Sequence, residues 1–276
     1  MRKIKKGDIV GRISYGKDIL FIVDRIIKTR DKSEIAILKG LTIRVKADSP
    51  IEDLEIIEKG VVQENIKVFE NKMEDRVRRY LSYIEKDKRS KRQFCTGRIL
   101  HLDGDKKYSE KSLKYYKSLG LDVVVKNIPE SKQPKFVRML LEKYKPDILV
   151  ITGHDGMIKK GTKYNDIYNY RNSAYFMNSV MEARRWNSMG RDLVIFAGAC
   201  QSYYEAIMNA GANFASSPGR ILIDFMDPLI VAEKIAITDE SKYVTISDIE
   251  NELRDGVKGV NGIGAMGKKK MIVTKM

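Results

Sequence analysis

Two unbroken apolar runs constrain this chain more than anything else in it. Ile148–Thr152 and Leu193–Ala197 show no polar–apolar alternation, and each follows an aspartate (Asp147, Asp192) and stops at a glycine (Gly153, Gly198). A strand made from such a run must be buried on both faces, which is the condition of a parallel sheet covered by helices on either side. The surrounding sequence agrees. Strand-like Arg98–Asp103 and Leu121–Val125 alternate with helical stretches over Ser109–Leu119 and Pro134–Tyr144. Further helices are expected over Ser173–Ser188, Tyr203–Asn209 and Pro228–Ile235, with a short strand at Phe214–Ser217. Strands alternating with helices predict a parallel α/β sheet with crossover connections.

In open sheets of this kind, sites gather beyond the carboxyl ends of the strands. Three endings carry reactive side chains: Asp103-Gly-Asp105, Gly153-His-Asp-Gly156 and Gly198-Ala-Cys-Gln201. Cys200 and His154 stand 200 − 154 = 46 residues apart, enough for an insertion and one crossover helix. A cysteine nucleophile must become a thiolate, and a free thiol with pKa near ~8.5 is only slightly ionised at neutral pH. A neighbouring imidazole and the start of a following helix would both favour the anion. Backbone N–H groups near Gly156 and Cys200 are candidates for an oxyanion hole, with small neighbours allowing close approach. Asp103 and Asp105 are candidates for binding a cationic substrate side chain, arginine in preference to lysine because of its bidentate fork. Asp224 is a weaker candidate for that role, and Asp155 a weak one for orienting His154. His101, between Leu100 and Leu102, reads as a packed core residue, and Cys95 has no evident partner.

The first 60 residues read differently. Short β-branched segments at Gly7–Val10, Ile19–Val23, Ile35–Leu38 and Leu41–Val45 are separated by turn residues, which predicts a small SH3-like barrel, a docking or folding module able to take RNA or peptide. Residues 61–95 are then expected to be a helical, basic linker. Met73, Val77, Tyr80, Leu81 and Ile84 fall at helical spacing, and five cations crowd into Lys86–Arg92. Residues 96–276 form the α/β domain, with Gly256–Met276 expected to be a mobile basic tail. Gly262–Lys268 nearly matches a phosphate-binding loop, but Lys269 stands where Ser or Thr is required.

The formal charge of +15 suits a polyanion or an acidic protein surface. Two cysteines and two histidines, with no CxxC, argue against a disulfide framework or a metal site. We expect no cofactor. No apolar run approaches the roughly 18–20 residues of a membrane span, and the charged N-terminus lacks a secretory apolar segment. A cytoplasmic protein is expected.

The chain resembles the YabG family of sporulation-specific peptidases. The resemblance runs through Lys6–Val10, Leu100–Asp105, Ile151–Gly156 and Phe196–Ser202, the last two blocks being the specific ones. These two are also similar to the His-Gly and Ala-Cys blocks of the caspase–gingipain–clostripain clan, although here Asp155 intervenes between His154 and Gly156. The resemblance implies a caspase-like fold, with His154 as general acid/base and Cys200 as nucleophile. It implies cleavage of spore coat and germination proteins, chiefly after arginine, in the mother-cell cytoplasm and the spore coat. The partners are then protein substrates, without a membrane and with nucleic acid not expected. Two rivals stand beside this reading. One is a thiol amidase or acyltransferase on the same scaffold; the other is a non-catalytic, basic nucleic-acid-binding or scaffold protein with a structural cysteine.

Overall fold

The structure is a computed structural model that describes residues 3–87, 94–158, 164–187 and 192–271. It opens with a five-stranded antiparallel sheet: β1 (Ile9–Arg12), β2 (Phe21–Lys28), β3 (Glu34–Gly40), β4 (Lys46–Pro50) and β5 (Leu54–Ile56). Their spatial order is β4-β3-β2-β1-β5. Three of the four expected strands are present. The fourth, Leu41–Val45, instead forms the β3–β4 connection, and the chain re-enters the sheet at Lys46. α1 (Lys59–Asp87) follows, longer at both ends than the expected helix, and packs Phe69 and Val77 onto the main core. Most of the basic run at Lys86–Arg92 lies outside the described residues.

After the short β6 (Phe94–Cys95), the second layer system begins. Its members are β7 (Ile99–Asp103), α2 (Lys106–Ser118), β8 (Val123–Asn127), α3 (Gln133–Tyr144), β9 (Ile148–Thr152), α4 (Ser173–Asn187), β10 (Val194–Ala197), α5 (Tyr204–Asn209), β11 (Phe214–Ser216) and α6 (Asp227–Ile237). β12 (Tyr243–Val244), α7 (Gly256–Gly259), β13 (Val260–Gly262), β14 (Ala265–Met266) and β15 (Lys270–Met271) complete the chain. The main sheet runs β13-β11-β10-β9-β7-β8. All its pairs are parallel except β11 with β13.

The period-2 geometry of a strand explains why the runs had to be apolar throughout. Ile148, Val150, Val194 and Phe196 point to one face, where α2 and α6 supply Tyr115, Tyr116, Leu229 and Ile235. Leu149, Ile151, Ile195 and Ala197 point to the other, where α3 and α4 supply Val137, Leu141, Phe176 and Val180. Each such aliphatic side chain, fully buried, contributes roughly 1.5–3 kcal/mol.

The expected mobile tail is corrected by the structure. Val260–Gly262 is an antiparallel edge strand on β11, and β14 and β15 pair with β12 and β6. The near-match to a phosphate loop does follow a strand, β13, but leads into β14 rather than a helix. Its Lys268 is ion-paired with Asp192.

Candidate active site

β9 and β10 are neighbours in register, Ile151 opposite Ala197, so His154 and Cys200 emerge at the same edge of the sheet. β7 lies on the far side of β9, with Asp103 opposite Thr152. The three endings singled out in sequence therefore converge. After Ala197 the chain turns at Gly198, whose φ of +113° favours glycine, and Gln201 beyond the cysteine also has a positive φ, of 54°. α5 begins only at Tyr204 and has six residues. The helix start expected immediately at Cys200 is therefore replaced by a turn.

Cys200 is buried. Its thiol donates to the Ile223 carbonyl at 3.7 Å and accepts from the Ile223 N–H at 3.4 Å. Burial pushes its pKa up to about 12, against the opposing pull of the Ile223 N–H and the Arg44 charge. His154 is also buried, and neither ring nitrogen has a hydrogen-bond partner. Tyr108 meets it edge-on, with ring centroids 5.6 Å apart. Burial lowers the imidazole pKa to about 3, although the Asp105 carboxylate pulls the other way. Thiol and imidazole are thus both neutral and not hydrogen-bonded to each other in this arrangement.

Asp155 is the residue that sequence reasoning undervalued. Its buried carboxylate accepts from the Gly156 N–H (2.8 Å), the Asn172 N–H (2.8 Å), the Ser173 hydroxyl (2.5 Å) and the Ser202 hydroxyl (2.9 Å). Ser202 Oγ in turn accepts the Ala199 N–H, and Ser173 Oγ accepts the Tyr203 N–H. One carboxylate therefore ties the His154 loop to the Cys200 loop and to the start of α4, without touching the imidazole. Burial holds its pKa up to about 6 despite these donors. The signal available in the sequence was an acid placed beside a candidate histidine; apart from the adjacent Gly156, its partners lie 17 to 47 residues away.

Gly156 was expected to supply an oxyanion donor, but its N–H is given to the Asp155 carboxylate. The Asp155 N–H instead donates to the Arg44 carbonyl at 3.4 Å. Glu130, absent from the sequence reading, accepts the His154 N–H at 2.8 Å. A Cβ on Gly104 or Gly153 would approach the Glu130 carboxyl group to 2.2 Å and 2.5 Å, so both glycines make room for it.

Asp103 is buried, and its Oδ2 lies 2.6 Å from Nη1 of the equally buried Arg44. Thr152 donates to the same oxygen at 3.0 Å, and the Asp105 N–H donates to Oδ1 at 2.8 Å. Burial raises the Asp103 pKa while Arg44 opposes that rise. The guanidinium carbon lies 5.0 Å and 5.1 Å from the ring centroids of Tyr108 and Phe225. No guanidinium nitrogen meets full hydrogen-bond geometry, so the 2.6 Å charge contact and the two nearby rings hold it.

Asp105 caps α2 through the Lys107 and Tyr108 N–H groups and stands 3.9 Å from Lys39. Asp224 accepts the Met226 N–H at 2.9 Å. His101 sits in the core as expected. Thr152 spends its only proton on Asp103, so His101 Nε2 donates to Thr152 Oγ1 at 2.7 Å, and Nδ1 faces the Tyr116 hydroxyl. Cys95 is exposed, on β6, which pairs with β15. Among the described residues no helix is long and apolar enough to cross a membrane.

The arrangement brings a thiol and an imidazole to one edge of the sheet, beside an arginine held on a carboxylate. Comparison with known proteins supplies the family. The family model described as YabG peptidase U57 matches residues 5–274. The chain is 36% identical over 279 residues to the sporulation-specific protease YabG of Bacillus subtilis (strain 168), covering 95% of this chain and 94% of that protein. Match and identity both extend over nearly the whole length, and the chain belongs to the YabG peptidase family.

Proposed function

We propose that the protein is a sporulation cysteine endopeptidase that cleaves after arginine. The observation that carries this reading is the convergence of Cys200 and His154 from adjacent parallel strands, beside a carboxylate that already holds a guanidinium. The name of the Bacillus subtilis relative supports the setting, a protease of sporulation. Spore coat and germination proteins are the proposed substrates, met in the mother-cell cytoplasm and the spore coat.

In the reaction, Cys200 Sγ adds to the carbonyl carbon of the arginine residue as its proton passes to His154. The oxyanion is held by the Asp155 and Cys200 N–H groups. Collapse breaks the peptide bond, and His154 returns the proton to the leaving amine. Water then attacks the thioester with His154 as base, releasing the carboxylate product and the thiol. Asp103 pairs with the substrate guanidinium, and Asp105 lends negative potential from the start of α2.

Cys200→Ala and His154→Ala test this directly on an arginine-containing peptide and on a basic protein. Each is expected to lower turnover at least about a thousandfold while the fold persists. Undiminished cleavage by Cys200→Ala would exclude the thiol mechanism. Cleavage of small amides but of no peptide would favour an amidase instead.

A further inference from the structure

Residues 41–46, the β3–β4 connection with the first residue of β4, are tied to their own sheet at both ends, through the Leu41 N–H to the Leu20 carbonyl, the Gly40 N–H to the Val45 carbonyl and the Lys39–Lys46 pair, and they also reach the α/β unit. Ile43 forms an antiparallel bridge with Asp224, and Val45 a parallel bridge with Asp155. The Lys46 N–H donates to the Asp155 carbonyl at 3.0 Å, and the Asp155 N–H donates to the Arg44 carbonyl at 3.4 Å. At Gly156 even a Cβ would come within 2.5 Å of the Lys46 carbonyl oxygen, so the segment lies flush against the His154 loop. Cys200 shares an apolar cluster with Val45 and with Val10, Phe21, Leu38 and Leu54 of the N-terminal sheet.

These contacts are the ones a peptide substrate would make: extended backbone paired on both sides, a carbonyl on the N–H after His154, and an arginine side chain on Asp103 against the rings of Tyr108 and Phe225. We propose that Asp103, Tyr108 and Phe225 form the arginine seat of this enzyme, and that Arg44 is its internal occupant, so that residues 41–46 hold the cleft closed to protein substrates. The inference rests on the peptidase reading and names the regulation of that same site. Arg44 holds this seat through one 2.6 Å charge contact and two ring contacts, the same interactions a substrate arginine would use to replace it.

The test compares the intact chain with Arg44→Ala, wholeness being checked by mass. If the segment fills the cleft nine-tenths of the time, apparent substrate binding is weakened about tenfold. Arg44→Ala is therefore expected to raise kcat/KM on a short arginine peptide by about that factor. A synthetic Gly40–Ala47 peptide added in trans should inhibit Arg44→Ala competitively, and the same peptide with Ala at its arginine position should not. Alkylation of buried Cys200 by iodoacetamide should accelerate by a similar factor, with exposed Cys95 as internal reference. If Arg44→Ala misfolds by circular dichroism, Arg44→Met, which keeps the apolar stem, takes its place. Equal kcat/KM and equal Cys200 alkylation in both chains, with activity still dependent on Cys200, would overturn the occlusion and leave the peptidase reading intact. Faster alkylation without peptide cleavage by either chain would support the occlusion and overturn the peptidase reading. Scission after Arg44 in the wild type but not in Cys200→Ala would also support occupancy, since only a bound segment is cut there.

Discussion

At the scale of single residues, two buried titratable groups set the behaviour of the site. A histidine in the unfolded chain titrates near ~6.5, whereas His154 is held at about 3 by burial. Between these values the unfolded chain binds a proton that the native chain refuses. Stability from this group is therefore lost as pH falls from about 6.5 toward 3. Asp155, raised to about 6, acts in the opposite sense: its contribution is lost as pH rises from 3.8 toward 6. Replacing His154 by Gln removes the first effect. Urea unfolding at pH 7 and pH 5 is expected to show a smaller acid loss in His154→Gln than in the wild type; an equal loss would place the acid sensitivity elsewhere. Asp155→Asn keeps the shape, but its single amide oxygen can serve the Gly156 and Asn172 N–H groups only, so the Ser173 and Ser202 hydroxyls lose their charged acceptor. With about 1–3 kcal/mol for each buried group left unpaired, a loss of roughly 2–4 kcal/mol is expected. Activity should fall further than the stability loss explains, because the His154 and Cys200 loops are no longer tied together.

At the scale of elements, the strands with continuous apolar sequence were legible and the short ones were not. Ile148–Thr152 was read to the residue, and β10 to within one residue. Each is buried on both faces, so every position reported the same environment. β13 was missed because three residues, Val260-Asn-Gly, carry no periodicity of their own and owe their extended form to β11. The Leu41–Val45 segment was read as an ordinary strand because its β-branched residues do suit extended backbone. Two of them, Ile43 and Val45, pair with Asp224 and Asp155 of the α/β unit. Two outcomes follow at this scale. Truncation after Gly256 should uncover the edge of β11 and its buried Phe214, and is expected to make the protein aggregate or lose cooperative unfolding. Phe196→Ala, deep in β10, should cost about 3–5 kcal/mol by denaturant unfolding without altering the arrangement at the sheet edge.

At the scale of the molecule, the Arg44–Asp103 pair joins the N-terminal sheet to the α/β unit with both charges out of water. The two partners are not equivalent when one is removed. Asp103, its pKa already raised, can take up a proton once Arg44 is gone, whereas Arg44 cannot shed its charge. Asp103→Asn is therefore expected to cost about 3–5 kcal/mol, and Arg44→Met distinctly less. The double variant should recover most of the loss. A double-mutant cycle in urea measures this, and equal single costs would argue against a protonatable Asp103.

The amino-acid sequence by itself determined the parallel strands, and it singled out their carboxyl ends, with His154 and Cys200, as the proposed place of chemistry. Both depend on patterns local to a strand and its ending. Only the tertiary structure decided which backbone N–H groups remain available, that Asp155 is the tie between two loops, and that the aspartate expected to meet a substrate arginine already holds Arg44. Those facts depend on groups 17, 47 and 59 residues apart in the chain (103 − 44 = 59 for the last) being brought together by packing. No local periodicity encodes that distance.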